Sequence, residues 1–445
     1  MNYKAIISKI LFYCVVLVAP LVLWFWGGGK IMVTDFVSFL NSTARAAGIV
    51  GITFFAGNLL LSGRYRWMDR AFGGLDKVYL FHRRTGIVTF ILLCYHAAVM
   101  TFSPLLFSLQ FFIASLATYT DLTLDAGRLS FIGLFVIVLL TLYIGKRMNY
   151  ERLRFLHRWL GGFLFLGGLH AYFIPSDISY MMPLRWFTLG LVIIALLSYL
   201  FRTILAKWFA SRIECEVVAV NDLGGSVTEI VMKPKGDRPV EFDPGQFIFV
   251  RFKQPGFPYE DHPFSLTASL AEGERSQLRI SAKGVGDFTR MLPQLKTGAK
   301  AFVQGPYGGF SFKNASCKKQ IWIAGGIGIT PFMSATRTFR DKAGSPELAD
   351  YDITLFYSAQ TPADLVYGKE LEEISKMVPQ LKVVNWIAEK SGFLTIDYVE
   401  SHAGIADSDI FICGPGPMLV AMNDNLREKG ILPQHIHFEL FTLFY

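Results

Sequence analysis

The sequence has few cysteines and little charge, and both shortages restrict what it can be. Its five cysteines, Cys14, Cys94, Cys215, Cys317 and Cys413, are scattered with no short-spaced pair, so neither a disulfide framework nor a zinc site follows from them. Charged residues make up only 18% of the 445, against 52% hydrophobic, a balance between that of a soluble enzyme and that of a membrane protein. No internal repeat and no low-complexity tract is present. The net charge of +8 does not mark a nucleic-acid partner. Lys and Arg collect instead at the ends of apolar segments, as they do on the cytoplasmic side of membrane proteins. Nor is a cleavable signal evident at the start. Lys4 and Lys9 precede an apolar run to Trp26 that is long enough to span and lacks a small-x-small site, so it is expected to stay as a first helix.

What is present is unevenly distributed. Six apolar segments stand out, at roughly 8–26, 36–62, 85–106, 129–145, 156–174 and 183–206. The loop after the second holds Arg64, Arg66, Arg70, Lys77, Arg83 and Arg84. The loop after the fourth holds Lys146, Arg147, Arg152, Arg154 and Arg158, whereas the opposite loops hold only Lys30, Arg128 and Arg185. This asymmetry places the N-terminus in the cytoplasm, and six crossings return the chain there, so everything after Arg212 is expected to be cytosolic.

From Ser211 onward Gly, Pro and charge recur as in a soluble protein. Short strands at Glu214–Val220, Val227–Met232, Gln246–Phe252, Leu278–Ala282 and Ala301–Gln304, with turns between them, predict a small antiparallel barrel. After Cys317 strand and helix alternate, with strands at Ile321–Ala324, Ile353–Tyr357 and Ile410–Cys413. The expected fold is multi-domain: a six-helix transmembrane bundle over residues 1–210, an antiparallel β-barrel over 211–314 and an α/β nucleotide-binding domain over 315–445.

Four of the eight histidines form two matched pairs: His82 and His96, 14 apart around the third segment, and His157 and His170, 13 apart around the fifth. One membrane histidine is readily explained by an interhelical hydrogen bond. Two matched pairs are not, and ionisable groups inside a bilayer are functional by default. Both segments run outward, so His82 and His157 lie at the cytoplasmic ends, and each pair spans roughly 20 Å at about 1.5 Å per residue. The geometry proposes two stacked bis-histidine haems, His82 with His157 and His96 with His170. With both axial positions filled, these carry electrons rather than bind oxygen. At about 100° per residue 14 steps return to within about 40° of one face, but 13 miss by about 140°. The pairs Gly161-Gly162 and Gly167-Gly168 are therefore expected to let the fifth helix distort. Phe163 lies between the two ligands, either as an aromatic bridge between haems or as a lipid-facing packing residue. Arg45, the basic residue inside the second segment, needs a haem propionate or a helix carbonyl as partner.

His262-Pro263-Phe264-Ser265-Leu266-Thr267 has the strand backbone and hydroxyls that the edge of a flat flavin ring requires. Gly286-Asp287-Phe288-Thr289 opens a short helix whose free N–H groups suit a pyrophosphate. Ile321 to Pro331 is a buried strand, a turn at Gly325, Gly326 and Gly328, and a helix start at Thr330-Pro331, the arrangement that cradles phosphates. Cys413-Gly414-Pro415 closes a later strand and sets Cys413 at the sheet's carboxyl edge, either at a ligand or as a buried structural cysteine.

The paired histidines, His262–Ser265, Gly326–Pro331 and Cys413–Pro415 follow one another as in the ferric reductase and NADPH oxidase superfamily, which the chain resembles over most of residues 45–441. The resemblance implies FAD, two haem b groups and NAD(P)H as substrate, in a self-contained bacterial member whose dehydrogenase domains are cytoplasmic. Electrons would cross the inner membrane to O2, giving superoxide, with a ferric chelate or a periplasmic acceptor protein as alternatives. By the same resemblance Ser265 approaches the flavin N5, Cys413 the nicotinamide C4, Phe441 covers the flavin ring, and Arg45 and Phe163 match the oxidase branch. Three departures stand out. Met100 replaces a histidine that several oxidases carry one turn after His96. Phe444 or Tyr445 could take the covering role of Phe441. Gln360 stands where some relatives have an arginine, which weakens a 2′-phosphate clamp and leaves NADH against NADPH open.

Overall fold

The computed structural model describes residues 3–110, 112–113, 121–145, 150–205, 212–236, 240–271 and 277–439. Helix α1 (Tyr3–Tyr13) runs through a π-helical stretch, Cys14–Val18, into α2 (Ala19–Trp26). Then come α3 (Phe36–Leu61), α4 (Arg66–Phe72), α5 (Leu75–Phe102), α6 (Leu122–Tyr143), α7 (Tyr150–Phe173) and α8 (Met182–Leu200). Five stretches are long and apolar enough to cross a membrane: Lys4–Trp26, Phe36–Leu61, Leu75–Leu106, Leu122–Tyr143 and Met182–Thr203. The chain is thus a multi-pass membrane protein. Helix α7 is as long as these, but two histidines, several arginines and four glycines lower its hydropathy.

Helices begin earlier than hydropathy alone places them. Helix α5 starts at Leu75 because Asp76, Lys77, Arg83 and Arg84 interrupt the apolar run without breaking a helix. His82 therefore lies about two turns inside it. Helix α3 is the buried centre of the bundle, with Ala44, Ala47, Ile49, Val50, Ile52, Phe54 and Ala56 all enclosed. Its small residues let α5 approach closely: a Cβ at Gly51 would sit 2.7 Å from the Leu93 side chain. Helix α5 packs along α3 and α7 along α6, with little contact between α5 and α7 themselves.

Strands β1 (Ile213–Asp222), β2 (Val227–Pro234), β3 (Phe247–Lys253), β4 (His262–Ser265), β5 (Leu278–Lys283) and β6 (Lys300–Tyr307) form one antiparallel sheet in the order β4-β3-β6-β1-β2-β5. A bridge between Leu266 and Ile280 joins its two edges. The second sheet is parallel, β11-β10-β7-β8-β9, from β7 (Lys319–Gly325), β8 (Asp352–Ala359), β9 (Leu381–Ile387), β10 (Asp409–Cys413) and β11 (Ile436–Glu439). Helices α9 (Thr330–Asp341), α10 (Gly368–Met377) and α11 (Gly416–Glu428) connect them. Strands β9 and β11 escape a reading by apolar runs because they are edge strands, half-buried and mixed in polarity.

The membrane helices and the antiparallel sheet share a core. Leu61, Met68, Phe72, Leu75, Val78 and Phe81 pack with Phe249 and Tyr307. The Gly308 N–H donates to Asp69 Oδ1 at 3.0 Å, and Tyr307 donates to the Arg64 carbonyl at 3.3 Å.

Candidate functional site

The four histidines are half-buried within the helices. Nδ1 lies 3.0 Å from the Asn58 carbonyl in His82, 2.9 Å from the Ala44 carbonyl in His96 and 2.9 Å from the Thr123 carbonyl in His170. A carbonyl can only accept, so each of these Nδ1 atoms carries the proton and Nε2 keeps its lone pair. That is how a ligating histidine is oriented. In His157 Nδ1 is buried and has no hydrogen-bond partner among the described residues. His82 and His96 belong to α5, and His157 and His170 to α7. Among the described residues no cluster of three His, Cys, Asp or Glu could hold a bare ion. An iron between such a pair would take its remaining ligands from a macrocycle.

Two glycines seat the His96 and His170 rings. A Cβ at Gly48 of α3 would lie 2.6 Å from His96 Nδ1, and one at Gly127 of α6 would lie 2.5 Å from His170 Nδ1. The sequence reading passed over both, since a small residue in a membrane helix signals close approach but not what approaches.

The distortion expected of α7 does not interrupt it: the helix is continuous from Tyr150 to Phe173. Its glycines admit neighbours instead, Gly161 the Tyr199 ring and Gly167 the Ser130 hydroxyl. His157 and His170 leave the helix on different faces, the latter toward α6. The Phe163 ring packs against Gly133 of α6, and its carbonyl accepts from Ser130 Oγ at 2.7 Å. Arg45 pairs with Asp177 at 3.4 Å, and that carboxylate also accepts from Trp24 Nε1 at 2.9 Å. Within the protein the partner of Arg45 is thus a carboxylate just after α7 rather than a helix carbonyl.

At the end of β4 and two residues beyond it, the Ser265 and Thr267 hydroxyls are buried and have no hydrogen-bond partner among the described residues. Unpaired buried hydroxyls are costly, and two of them two residues apart fit the donor-and-acceptor edge of a flavin. His262 stacks on Phe288 at 3.6 Å, so Phe288 props the strand, with Phe264 also packed on it at 6.4 Å. Pro263 is exposed. The Gly286 N–H expected to be free donates to Thr289 Oγ1 at 3.0 Å: the short helix Asp287–Met291 caps itself.

At the parallel sheet's carboxyl edge, Cys413 is in register with Ala324 on one side and Glu439 on the other. Gly328 lies directly on the Cys413 carbonyl, where no Cβ fits, and Gly414 lies against Gly325. Gly326 adopts φ +54° with open space before it, leaving the turn's backbone accessible to a phosphate. Thr330 Oγ1 donates to the Ile327 carbonyl at 3.0 Å, Pro331 starts α9 and Pro415 precedes α11. Burial, then the Glu439 carboxylate, push the Cys413 thiol well above its ordinary range, so it is a neutral contact and not a thiolate nucleophile. Burial, then Asp76, push the Glu439 carboxyl up likewise, and its Oε2 has no partner among the described residues. Sequence reasoning missed Glu439, since a single acid in a four-residue strand carries no pattern. Phe441, Phe444 and Tyr445 lie outside the described residues.

Comparison with known proteins matches three stretches of the chain. Residues 47–168 match the ferric reductase like transmembrane component, 212–311 an FAD-binding domain and 322–424 an oxidoreductase NAD-binding domain. The chain is 29% identical over 228 residues to the glycine betaine monooxygenase reductase subunit of Chromohalobacter salexigens, covering 46% of this chain and 58% of that one. It is 26% identical over 243 residues to the propane 2-monooxygenase reductase component of Mycolicibacterium smegmatis, covering 52% and 68%. The chain thus spans a little over half the length of the betaine reductase subunit. The solved ferredoxin reductase in carbazole 1,9a-dioxygenase aligns with 52% of this chain and 70% of its own, at 27% identity and a TM-score of 0.44. With a ferric reductase-like transmembrane domain, an FAD-binding domain and an NAD-binding domain in one polypeptide, the chain is an oxidoreductase whose domain order matches the ferric reductase/NADPH oxidase-type architecture.

Proposed function

We propose that the protein oxidises NAD(P)H on the cytoplasmic side of a bacterial inner membrane and delivers electrons through FAD and two haem b groups to external O2, producing superoxide. In this reading α1–α2, α3, α5, α6, α7 and α8 are six spans of a haem domain over residues 1–210. Residues 211–314 are an FAD-binding β-barrel and 315–445 the NAD(P)-binding domain, both cytoplasmic. The reading rests on one observation above the others: His82, His96 and His170 each spend Nδ1 on a backbone carbonyl and keep Nε2 for a ligand.

FAD, when bound, would accept one hydride (two electrons and a proton) from NAD(P)H and release the two electrons singly, and bis-histidine haems would relay them one at a time. The chain's own residues hold these groups in place. The turn Gly325–Thr330 and Gly414-Pro415 receive the nucleotide, with Cys413 behind the nicotinamide. Ser265 and Thr267 bind the flavin edge, His262 stacked on Phe288 stiffens that strand, and Phe441 or Tyr445 covers the ring. His82 and His157 hold the inner iron, His96 and His170 the outer one.

The external surface favours O2 over an iron chelate. The loop expected outside, roughly Ser103 to Arg128, is rich in Phe, Leu and Thr and carries only Asp121, Asp125 and Arg128 as charges, so it offers an anionic chelate little to bind. The assay is NAD(P)H oxidation by purified, FAD-loaded protein with a superoxide-specific probe, with and without superoxide dismutase. Negligible oxidation in air that becomes fast with ferric chelate under argon would replace the oxidase by a ferric reductase. No turnover with either would point to an electron donor for a periplasmic partner.

A further inference from the structure

One face of α9 is hydrogen-bonded along its length to the segment that follows the proposed flavin strand. Ser334 Oγ donates to the Ala268 carbonyl at 2.7 Å and Arg337 Nη1 to the Thr267 carbonyl at 2.9 Å. The Leu270 N–H donates to Thr338 Oγ1 at 3.2 Å and Ser269 Oγ to Asp341 at 2.5 Å. Positions 334, 337, 338 and 341 share a helix face by their three- and four-residue spacing. Four bonds to four consecutive residues fix both register and angle.

Arg337 is the centre of this seam. Its guanidinium forks onto Glu370 of α10, Nε to Oε1 at 2.7 Å and Nη2 to Oε2 at 2.8 Å, and reaches Glu229 of β2 at 3.4 Å. Its side chain is only 5% exposed. Glu229 also receives Arg279 at 3.1 Å and Tyr367 at 3.4 Å. A planar, permanently charged fork makes such a junction stiff in a way that a lysine cannot. Interfaces between domains of one chain ordinarily permit relative motion; this one is fastened from within.

The two ends of the seam explain its use. Helix α9 starts at the turn Gly325–Thr330, the proposed phosphate cradle, and Thr267 ends the run whose hydroxyls face the proposed flavin. We propose that Arg337 is a positioning residue for hydride transfer: by clamping α9 to the Thr267 carbonyl, it sets the nicotinamide site against the flavin site before nucleotide binds. This rests on the NAD(P)H-to-FAD reading above. In the step served, one hydride (two electrons and a proton) leaves the nicotinamide for the flavin, so NAD(P)H is oxidised and FAD reduced.

The test uses the full chain loaded with FAD and haem, as wild type, Arg337→Met and Arg337→Lys. Anaerobic stopped-flow bleaching of the flavin gives the hydride-transfer rate and, from its concentration dependence, the nucleotide Kd. Amide hydrogen exchange over residues 267–270, in protein without nucleotide, reports the seam itself. Both variants should transfer hydride on the order of 10- to 100-fold more slowly, the cost of misplacing a reacting pair by about 1 Å. Kd and FAD content should stay within about threefold, and protection at 267–270 should fall. Loss of that protection with a wild-type hydride rate would overturn the proposal. If Arg337→Met does not fold, the milder pair Ser334→Ala and Thr338→Val decides: slower transfer at native Tm supports positioning, and an unchanged rate refutes it. A wild-type flavin that NAD(P)H does not bleach would sink the parent reading instead, and is seen before any variant is made.

Discussion

Arg64, just beyond the end of α3, lies 3.6 Å from Asp261, the residue immediately before His262, and stacks on the Phe249 ring at 3.8 Å. Asp261 also receives Arg251 at 3.0 Å and Arg212, at the entry to β1, at 3.3 Å. One carboxylate, 12% exposed, thus holds the membrane loop, the linker into the antiparallel sheet and the proposed flavin strand together.

Asp261→Asn should therefore loosen the flavin from the inner haem rather than from the nucleotide. Removing the shared charge leaves three guanidinium groups crowded, at a cost of about 2 kcal/mol once their partial exposure is discounted. Expected are a lower Tm and slower haem reduction in stopped-flow traces, while NAD(P)H bleaches the flavin at the parent rate. Equal slowing of both phases would contradict this account of Asp261.

The proposed haem sites are tested by their ligands and by their glycine seats. His82→Ala and His157→Ala should each remove the same inner haem, His96→Ala and His170→Ala the same outer one. Gly48→Ala and Gly127→Ala, which drive a methyl group to within 2.6 Å and 2.5 Å of His96 and His170, should lose the outer haem alone. Gly162→Ala, with nothing within 4 Å, is the control and should keep both. Haem content and electron paramagnetic resonance of the six-coordinate signals read the result. Two intact haems in all four histidine variants would end the pairing scheme.

What sequence shows of this protein follows the range of each signal. His82, His96, His157 and His170 are conspicuous because they fall as two similarly spaced pairs around two apolar segments, and Gly325–Pro331 because strand, glycines and helix start adjoin. The start of α5 was misplaced since Asp76 and Lys77 lower hydropathy yet are good enough helix residues. Gly127, Asp261 and Arg337 were invisible for another reason: each acts on a residue 43, 197 or 70 positions away (His170, Arg64, Thr267), and nothing local encodes such a partner. Arg45 shows the converse. It was noticed correctly as a charge in need of a partner, but Asp177 lies 132 residues on.

Glu439 makes a pH-dependent prediction. Burial pushes its carboxyl up, so the folded chain holds that proton more tightly than the unfolded one. The stability contribution is then fullest below the unfolded value of about 4.3 and is lost as pH rises toward the folded value. Glu439→Gln removes that loss. Thermal unfolding of the cofactor-free protein should show the variant more stable than the parent at about pH 8 and not at about pH 4. Equal stability at the higher pH would contradict a buried, proton-retaining carboxyl.

Nucleotide choice should be loose. The Gln360 carbonyl is taken by the Glu389 N–H at 3.0 Å, which sets an acidic residue beside the position where a phosphate-clamping arginine would stand. The ratio of kcat/KM for NADPH and NADH should stay below about a thousandfold, roughly 4 kcal/mol. A larger preference for NADPH would mean a clamp supplied by other residues.

The central claim is that one chain carries electrons from a nicotinamide through a flavin to two haems. Purified protein loaded with FAD and haem, mixed anaerobically with NADH or NADPH and followed by stopped-flow absorbance, tests it directly. The account predicts bleaching of the flavin first, then reduction of two b-type haems per chain. Flavin that bleaches while the haems stay oxidised, or a chain that binds no six-coordinate haem, would contradict it.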